Sequence, residues 1–128
     1  MFTLTIEGRL PSLNQYIAAC RVKGIVGANF IKSVEEELIP LFKSQTKFRG
    51  INEKCWIDYV FYEANQKRDL DNIASFAHKV VQDSLVKAGI LHDDGWQQIA
   101  GFSDIFRVDK EHPRIEIVVL MQADRGGK

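Results

Sequence analysis

One apolar stripe constrains this chain more than any other feature. Leu70, Ile73, Ala74, Ala77, Val80, Val81, Ser84, Leu85 and Ala88 recur at helical spacing over about five turns. Gly89 follows directly and supplies the residue type that ends a helix in the left-handed conformation. A helix with one such face must bury it, and the segments around it are rich in β-formers. Phe2–Ile6 alternates at period two, and residues 54–62 are dense in β-branched and aromatic types. Gln97–Val108 and Arg114–Met121 read as two closing strands, joined by a turn through Glu111-His112-Pro113.

A second helix is expected from about Asn29 to Lys47, where Phe30, Val34, Leu38, Leu41 and Phe42 share a face; Pro40 should kink it or end its first part. Pro11-Ser12-Leu13-Asn14 breaks the first strand, and Arg21–Asn29, with two glycines and two bases, reads as a flexible basic loop. The expected class is α+β: a small mixed β-sheet with two main helices packed against it. Residues 1–122 should form a single domain, followed by a short polar tail over 123–128. The chain's 128 residues, 45% of them hydrophobic, suffice for a core without staples and exclude global disorder. No apolar run approaches the ~20 residues of a bilayer span, and the start lacks the basic-then-apolar plan of a signal peptide. Cys20 and Cys55 lie in no metal-ligand spacing, which favours reduced thiols in a cytoplasmic protein over a disulfide framework or a zinc ribbon.

Net charge is zero, which speaks against a plain nucleic-acid binder, but the halves differ. Residues 1–68 hold ten Lys/Arg against seven Asp/Glu, and residues 69–128 hold seven against ten. The densest polar cluster, Lys67-Arg68-Asp69-Leu70-Asp71-Asn72, stands where strand hands over to the long helix. Carboxylates at i and i+2 diverge inside a helix and converge only in extended chain or at the N-cap. Ordinary helix capping accounts for this pair on its own. It does not account for a second pair, Asp93-Asp94, beyond the helix's far end, although Asp-Gly at 94–95 is also a turn former. The helix is ~28 Å long, so the two pairs meet only if the chain returns along it. Residue spacing alone leads as far as a candidate divalent-metal site.

The order of these motifs adds to that. Lys67-Arg68-Asp69-Leu70-Asp71-Asn72, a helix ending Leu85-Val86-Lys87-Ala88-Gly89, then Leu91-His92-Asp93-Asp94, resembles the RusA family of Holliday junction resolvases. Pro113-Arg114-Ile115-Glu116-Ile117 resembles that family's final strand, and Leu10-Pro11-Ser12-Leu13-Asn14 its opening Pro-x-x-Asn segment. The resemblance runs from about residue 2 to 120 and is most specific across 67–96. It implies a Mg²⁺-dependent endodeoxyribonuclease, with Mn²⁺ able to substitute, that resolves four-way DNA junctions by paired symmetric nicks in recombination and repair. It places the metal-holding aspartates on Asp69, Asp71 and Asp94, with Asp93 either a further ligand or the residue that shapes the turn. The family's functional lysine falls on Lys79 when counted back from Ala88-Gly89, and on Ser75 when counted forward from the acidic motif. Asn72 and Lys79 lie within about 20° on one helix face, which favours Lys79.

Resemblance also implies a homodimer, since two opposed strands must be cut, and a bacterial or prophage origin with a cytoplasmic setting. Branched DNA is the expected partner, with no membrane and no organic cofactor. Lys67, Arg68, Asn72, Arg21 and Lys23 are the leading candidates for DNA contact, with Lys43, Lys47 and Arg49 behind them. His78 and His92 are weaker candidates for the metal's neighbourhood, His112 reads as structural, Phe61 and Tyr62 as packing, and Trp96 as core rather than a base-stacking residue. Two other readings stand beside the nuclease: an inactive module that binds branched DNA, and a Mg²⁺ enzyme acting on a phosphorylated small molecule. The second lacks a glycine-rich phosphate loop.

Overall fold

The computed structural model describes residues 1–22 and 24–125. The apolar stripe becomes the helix α3 (Leu70–Lys87), with Ile73, Ala74, Phe76, Ala77, Val80, Val81, Ser84 and Leu85 buried. Ala88 caps it and Gly89 follows at φ +74°, where a side chain would be strained. Burying each large aliphatic or aromatic member of that face is worth about 2 kcal/mol.

The face packs on a four-stranded mixed sheet of β1 (Phe2–Glu7), β2 (Cys55–Glu63), β3 (Ile99–Val108) and β4 (Arg114–Met121), in the order β1-β4-β2-β3. Strict alternation along β2 and β4 sends Cys55, Ile57, Tyr59 and Phe61, with Ile115, Ile117 and Val119, into the core. The opposite face of the sheet, carrying Trp56, Val60, Val118 and Leu120, stays half-buried. The closing strands are present but are not neighbours. Antiparallel β4 pairs with β1 and β2, while β3 runs parallel to β2 on its other side. The turn at 109–113 therefore steps over the end of β2, and the Asp109 N–H donates to the Glu63 carbonyl there (2.8 Å).

Two expectations are corrected. The segment read as a flexible basic loop is helical on both sides of residue 23: α1 (Leu13–Val22) and α2 (Gly24–Gln45) add a third helix to the two expected. The start of α1 is a capping box, in which the Gln15 side chain accepts from the Ser12 N–H (2.7 Å) and the Ser12 hydroxyl accepts from the Gln15 N–H (3.2 Å). Tyr16, Phe30 and Phe76, with centroids 5.7–6.3 Å apart, join α1, α2 and α3. Of the kink or end expected at Pro40, the end does not occur: α2 runs through that residue, which is exposed, so that water can serve the carbonyl whose partner it removes. The polar tail begins ordered: Gln122–Arg125 form a 3₁₀ turn, and Asp124 pairs with the Met1 amino group at 2.9 Å.

Candidate functional site

At the head of α3 the backbone of Asp69 is extended (φ −68°, ψ 144°), so it occupies the N-cap position, yet its side chain makes no capping hydrogen bond. Capping does not consume this carboxylate. Asp71 follows in the first helical turn, and both are exposed where the positive end of the helix dipole favours negative charge. The segment is bolted in place by Arg68, which donates twice to the buried Glu63 carboxylate (3.0 and 2.9 Å) and once to the Leu10 carbonyl (2.9 Å). Arg68 is thus engaged with Glu63 and Leu10 directly before Asp69. Two clefts open beside Asp69. One, of about 190 Å³, is lined by Ser12, Asn14, Lys67 and Asn72 and joins the Pro-x-x-Asn segment to the acidic motif. The other, of about 460 Å³, lies against Phe106, Arg107 and Val108 at the tail of β3.

At the far end of α3 the chain leaves the helix through Gly89 and pairs Leu91 with Ile51 in a short parallel bridge. The Asp93-Asp94 turn is held by a buried amide: Gln98 donates to the carbonyls of Ile51 and Glu53 and accepts from the Asp93 N–H (2.7 Å). Asp93 accepts from the Asp94 N–H (2.8 Å), so it shapes the turn. Asp94 is half-buried against Asp83. Burial, followed by the neighbouring carboxylates of Asp83 and Asp93, pushes its pKa above the ordinary carboxylate range.

The structure does not bring the two acidic groups together within one chain. Asp83, the neighbour of Asp94, stands twelve residues beyond Asp71, or about 18 Å along the axis. Among the described residues no group of three or more His, Cys, Asp or Glu side chains is arranged to hold a metal ion. The chain does not return along α3 before Asp94; it returns after it, as β3. Lys79 is exposed midway, eight residues past Asp71 and four before Asp83, and Ser75 is exposed one turn earlier.

The other candidates separate cleanly. Lys67 and Arg21 are exposed, Asn72 lines the smaller cleft, and Lys23 lies outside the described residues. His78 is enclosed between Tyr59 and Phe102 and donates to Asp104 (2.7 Å), away from both acidic groups. His92 is exposed, while His112 bonds Glu7 at 2.6 Å in a structural contact. Phe61 packs in the core, and Tyr62 lies beneath the Arg114 guanidinium. Trp96 overturns its expected place in the core: it is 93% exposed. A turn tied down by Gln98 and by Lys54, whose ammonium donates to the Trp96 carbonyl, leaves the indole no wall to pack on.

Asp83, Gln98 and Glu63 are the site-building residues that the sequence reading missed. Asp83 was readable as the continuation of the 71-75-79-83 row, whereas Gln98 and Glu63 act only through distant partners.

Among known proteins, the family model Endodeoxyribonuclease RusA matches residues 29–120, a span that contains α3 and both acidic groups. No curated protein matches the chain.

Proposed function

The chain belongs to the RusA family of Holliday junction endodeoxyribonucleases, and from that premise we propose that it cuts four-way DNA junctions by paired nicks as a two-fold dimer, each reaction centre drawing on two copies of the chain. The observation that carries this reading is the separation of the acidic groups by the length of α3. Asp69 and Asp71 of one copy, with their carboxylates free of capping duty, would meet Asp94 of the other.

Three carboxylates from one chain do not fit a divalent ion here, whereas this pair joined by a third from a second chain offers the oxygen donors that Mg²⁺ prefers. Such an ion, held by these carboxylates, would supply activation of water and stabilisation of the leaving 3′ oxygen, the chemistry that leaves 5′-phosphate and 3′-hydroxyl ends. The protein's own contributions are positional. Arg68 and Glu63 hold the extended approach to Asp69, and Gln98 holds the turn of Asp94. The exposed Lys79 offers its ammonium to the phosphate that gains charge as the bond breaks. Lys67 and Asn72, beside Asp69, are placed to take the flanking backbone. No helix among the described residues is long and apolar enough to cross a membrane, and the reading places the protein on DNA in the bacterial or phage-infected cytoplasm.

Subunit mixing tests the reading. Asp71→Asn and Asp94→Asn should each abolish cleavage of a labelled four-way junction in Mg²⁺. Co-refolded together, they rebuild one intact centre per mixed dimer, and single nicks should return. Two inactive variants whose mixture stays inactive would overturn the shared centre. Tight junction binding by the wild type without cleavage in Mg²⁺ or Mn²⁺ would favour the structural-module reading instead.

A further inference from the structure

Trp96 stands apart from the other aromatic rings of the chain. Tryptophan is highly buried on average, because its large indole gains by leaving water. Here it is 93% exposed. Phe48 and Phe102 are exposed as well, yet Phe48 stacks on Phe2 and Phe102 touches His78. The indole of Trp96 meets no other ring among the described residues.

The backbone beneath that ring is fixed. The Gly95 carbonyl accepts from the N–H groups of Gln98 (3.1 Å) and Ile99 (2.9 Å), which closes a tight turn with Trp96 just inside it. The Trp96 carbonyl accepts from the Lys54 ammonium, and the buried Gln98 amide ties the turn to Ile51 and Glu53. Only two side-chain torsions stay free, so covering the ring costs little conformational entropy. A rigid backbone under a flat apolar ring makes a platform.

The surroundings say what such a platform takes. Asp94 lies two residues back, at most about 7 Å along the chain, and the nuclease reading puts its carboxylate at the phosphate to be cut. Successive bases of a strand stand about 3.4 Å apart. The ring is therefore within reach of the bases one or two nucleotides from that phosphate. Its neighbours Asp93, Gly95, Gln97 and Lys54 are small or polar. A protein seam or a lipid surface asks for a continuous apolar patch, whereas an unstacked base asks for one flat ring. In linear duplex each base face is covered by the next pair. At the branch point of a four-way junction, the exchanging strands leave faces open.

We propose that Trp96 is a stacking platform for a nucleobase left unstacked at the branch point, and that it favours branched over linear DNA. The inference rests on the nuclease reading above and adds a residue that selects the substrate. Trp96 takes no part in breaking the bond. It holds the strand beside Asp94 and does so only where a base face is free.

Tryptophan emission tests this directly. The chain has two tryptophans, so the difference between wild type and Trp96→Phe isolates Trp96 from Trp56. The Trp96 ring is almost wholly in water, so its replacement should leave the circular dichroism unchanged. In the free protein, the difference emission should be that of an indole in water, open to acrylamide at every protein concentration. With Asp71→Asn added to both proteins to keep the DNA whole, a saturating four-way junction should quench it by about half or more. A linear duplex of the same sequence, also bound to saturation, should leave it little changed. Trp96→Ala should weaken junction binding about 10-fold and leave duplex binding alone, and Trp96→Phe should recover most of the loss.

Emission unchanged on a bound junction, or a Trp96→Ala protein that binds and cuts junctions as wild type does, overturns the platform and leaves the nuclease reading standing. Equal quenching by the duplex overturns the unstacked base as its occupant. Shielding from acrylamide that grows with protein concentration, without DNA, shows the ring covered by another copy and overturns the proposal too. A wild type that neither binds nor cuts junctions overturns the nuclease reading and the platform together.

Discussion

The two ends of α3 carry the same chemical group in different settings. At the head, Asp69 and Asp71 are exposed, close in sequence, and presented by an arginine clamp one residue away. At the tail, Asp94 is half-buried, crowded by Asp83 and Asp93, and held by an amide whose partners lie more than forty residues back. One end displays negative charge where the helix dipole welcomes it; the other accumulates it where the dipole does not. On the proposed reading each end is half of a centre, and the tail is the one that a cation would relieve more.

The largest expected effect breaks both ends alike. Asp71→Asn and Asp94→Asn should each lower junction cleavage by at least about 10²–10³-fold, measured at saturating Mg²⁺. Stability should then separate them. Asp94→Asn removes a charge from a crowded turn and should raise urea-derived stability by about 0.5 kcal/mol, while Asp71→Asn removes a favourable helix-dipole contact and should lower it by a similar amount. Equal shifts of one sign would erase the distinction between the ends.

The scaffolds come next. Arg68→Ala leaves the buried Glu63 carboxylate with only Arg9 at 3.5 Å, and should cost about 3 kcal/mol in denaturant unfolding. Gln98→Ala strips partners from two carbonyls and the Asp93 N–H, and should cost about 2 kcal/mol. The two should differ in amide exchange: Arg68→Ala should loosen residues 64–71, and Gln98→Ala residues 91–97.

The smallest effect concerns a surface pair that lines neither of the clefts beside Asp69. Arg114 bonds Asp109 (2.9 Å) and holds its carboxyl below the ordinary carboxylate range. A lowered pKa in the fold means that this contribution is present above the usual carboxylate range and is lost as pH falls through the lowered value. Arg114→Ala should return Asp109 upward in an NMR titration and leave cleavage near wild type, because the pair stands at the β3–β4 turn.

The difference between the ends also explains what was readable in the chain. Asp69 and Asp71 could be located because their placement depends on neighbours in sequence: an extended residue, a helix start, and Arg68 beside them. Helix α3 was legible for the same reason, its period being written into consecutive residues. The capping box at Ser12 and Gln15 was equally local and was passed over because Pro11 read as a break. Asp83 beside Asp94, Gln98 beneath the turn, and the step of β4 across β2 depend on pairings between distant segments, which no local pattern encodes. Trp96 shows the same limit: an aromatic after a turn is core only if the fold supplies a wall, and here it supplies none.

By itself, then, the sequence determined the α+β class, the helix that carries the acids at its ends, and the residue types that suit metal-assisted phosphate chemistry, because period and motif order are properties of adjacent residues. Only the tertiary structure decided that those acids stand a helix length apart, that Gln45 covers the backbone of one sheet edge at Thr5, and that β3, at the other edge, pairs with β2 alone among the described residues. Distances between segments, and the faces left without partners, come from how the elements pack.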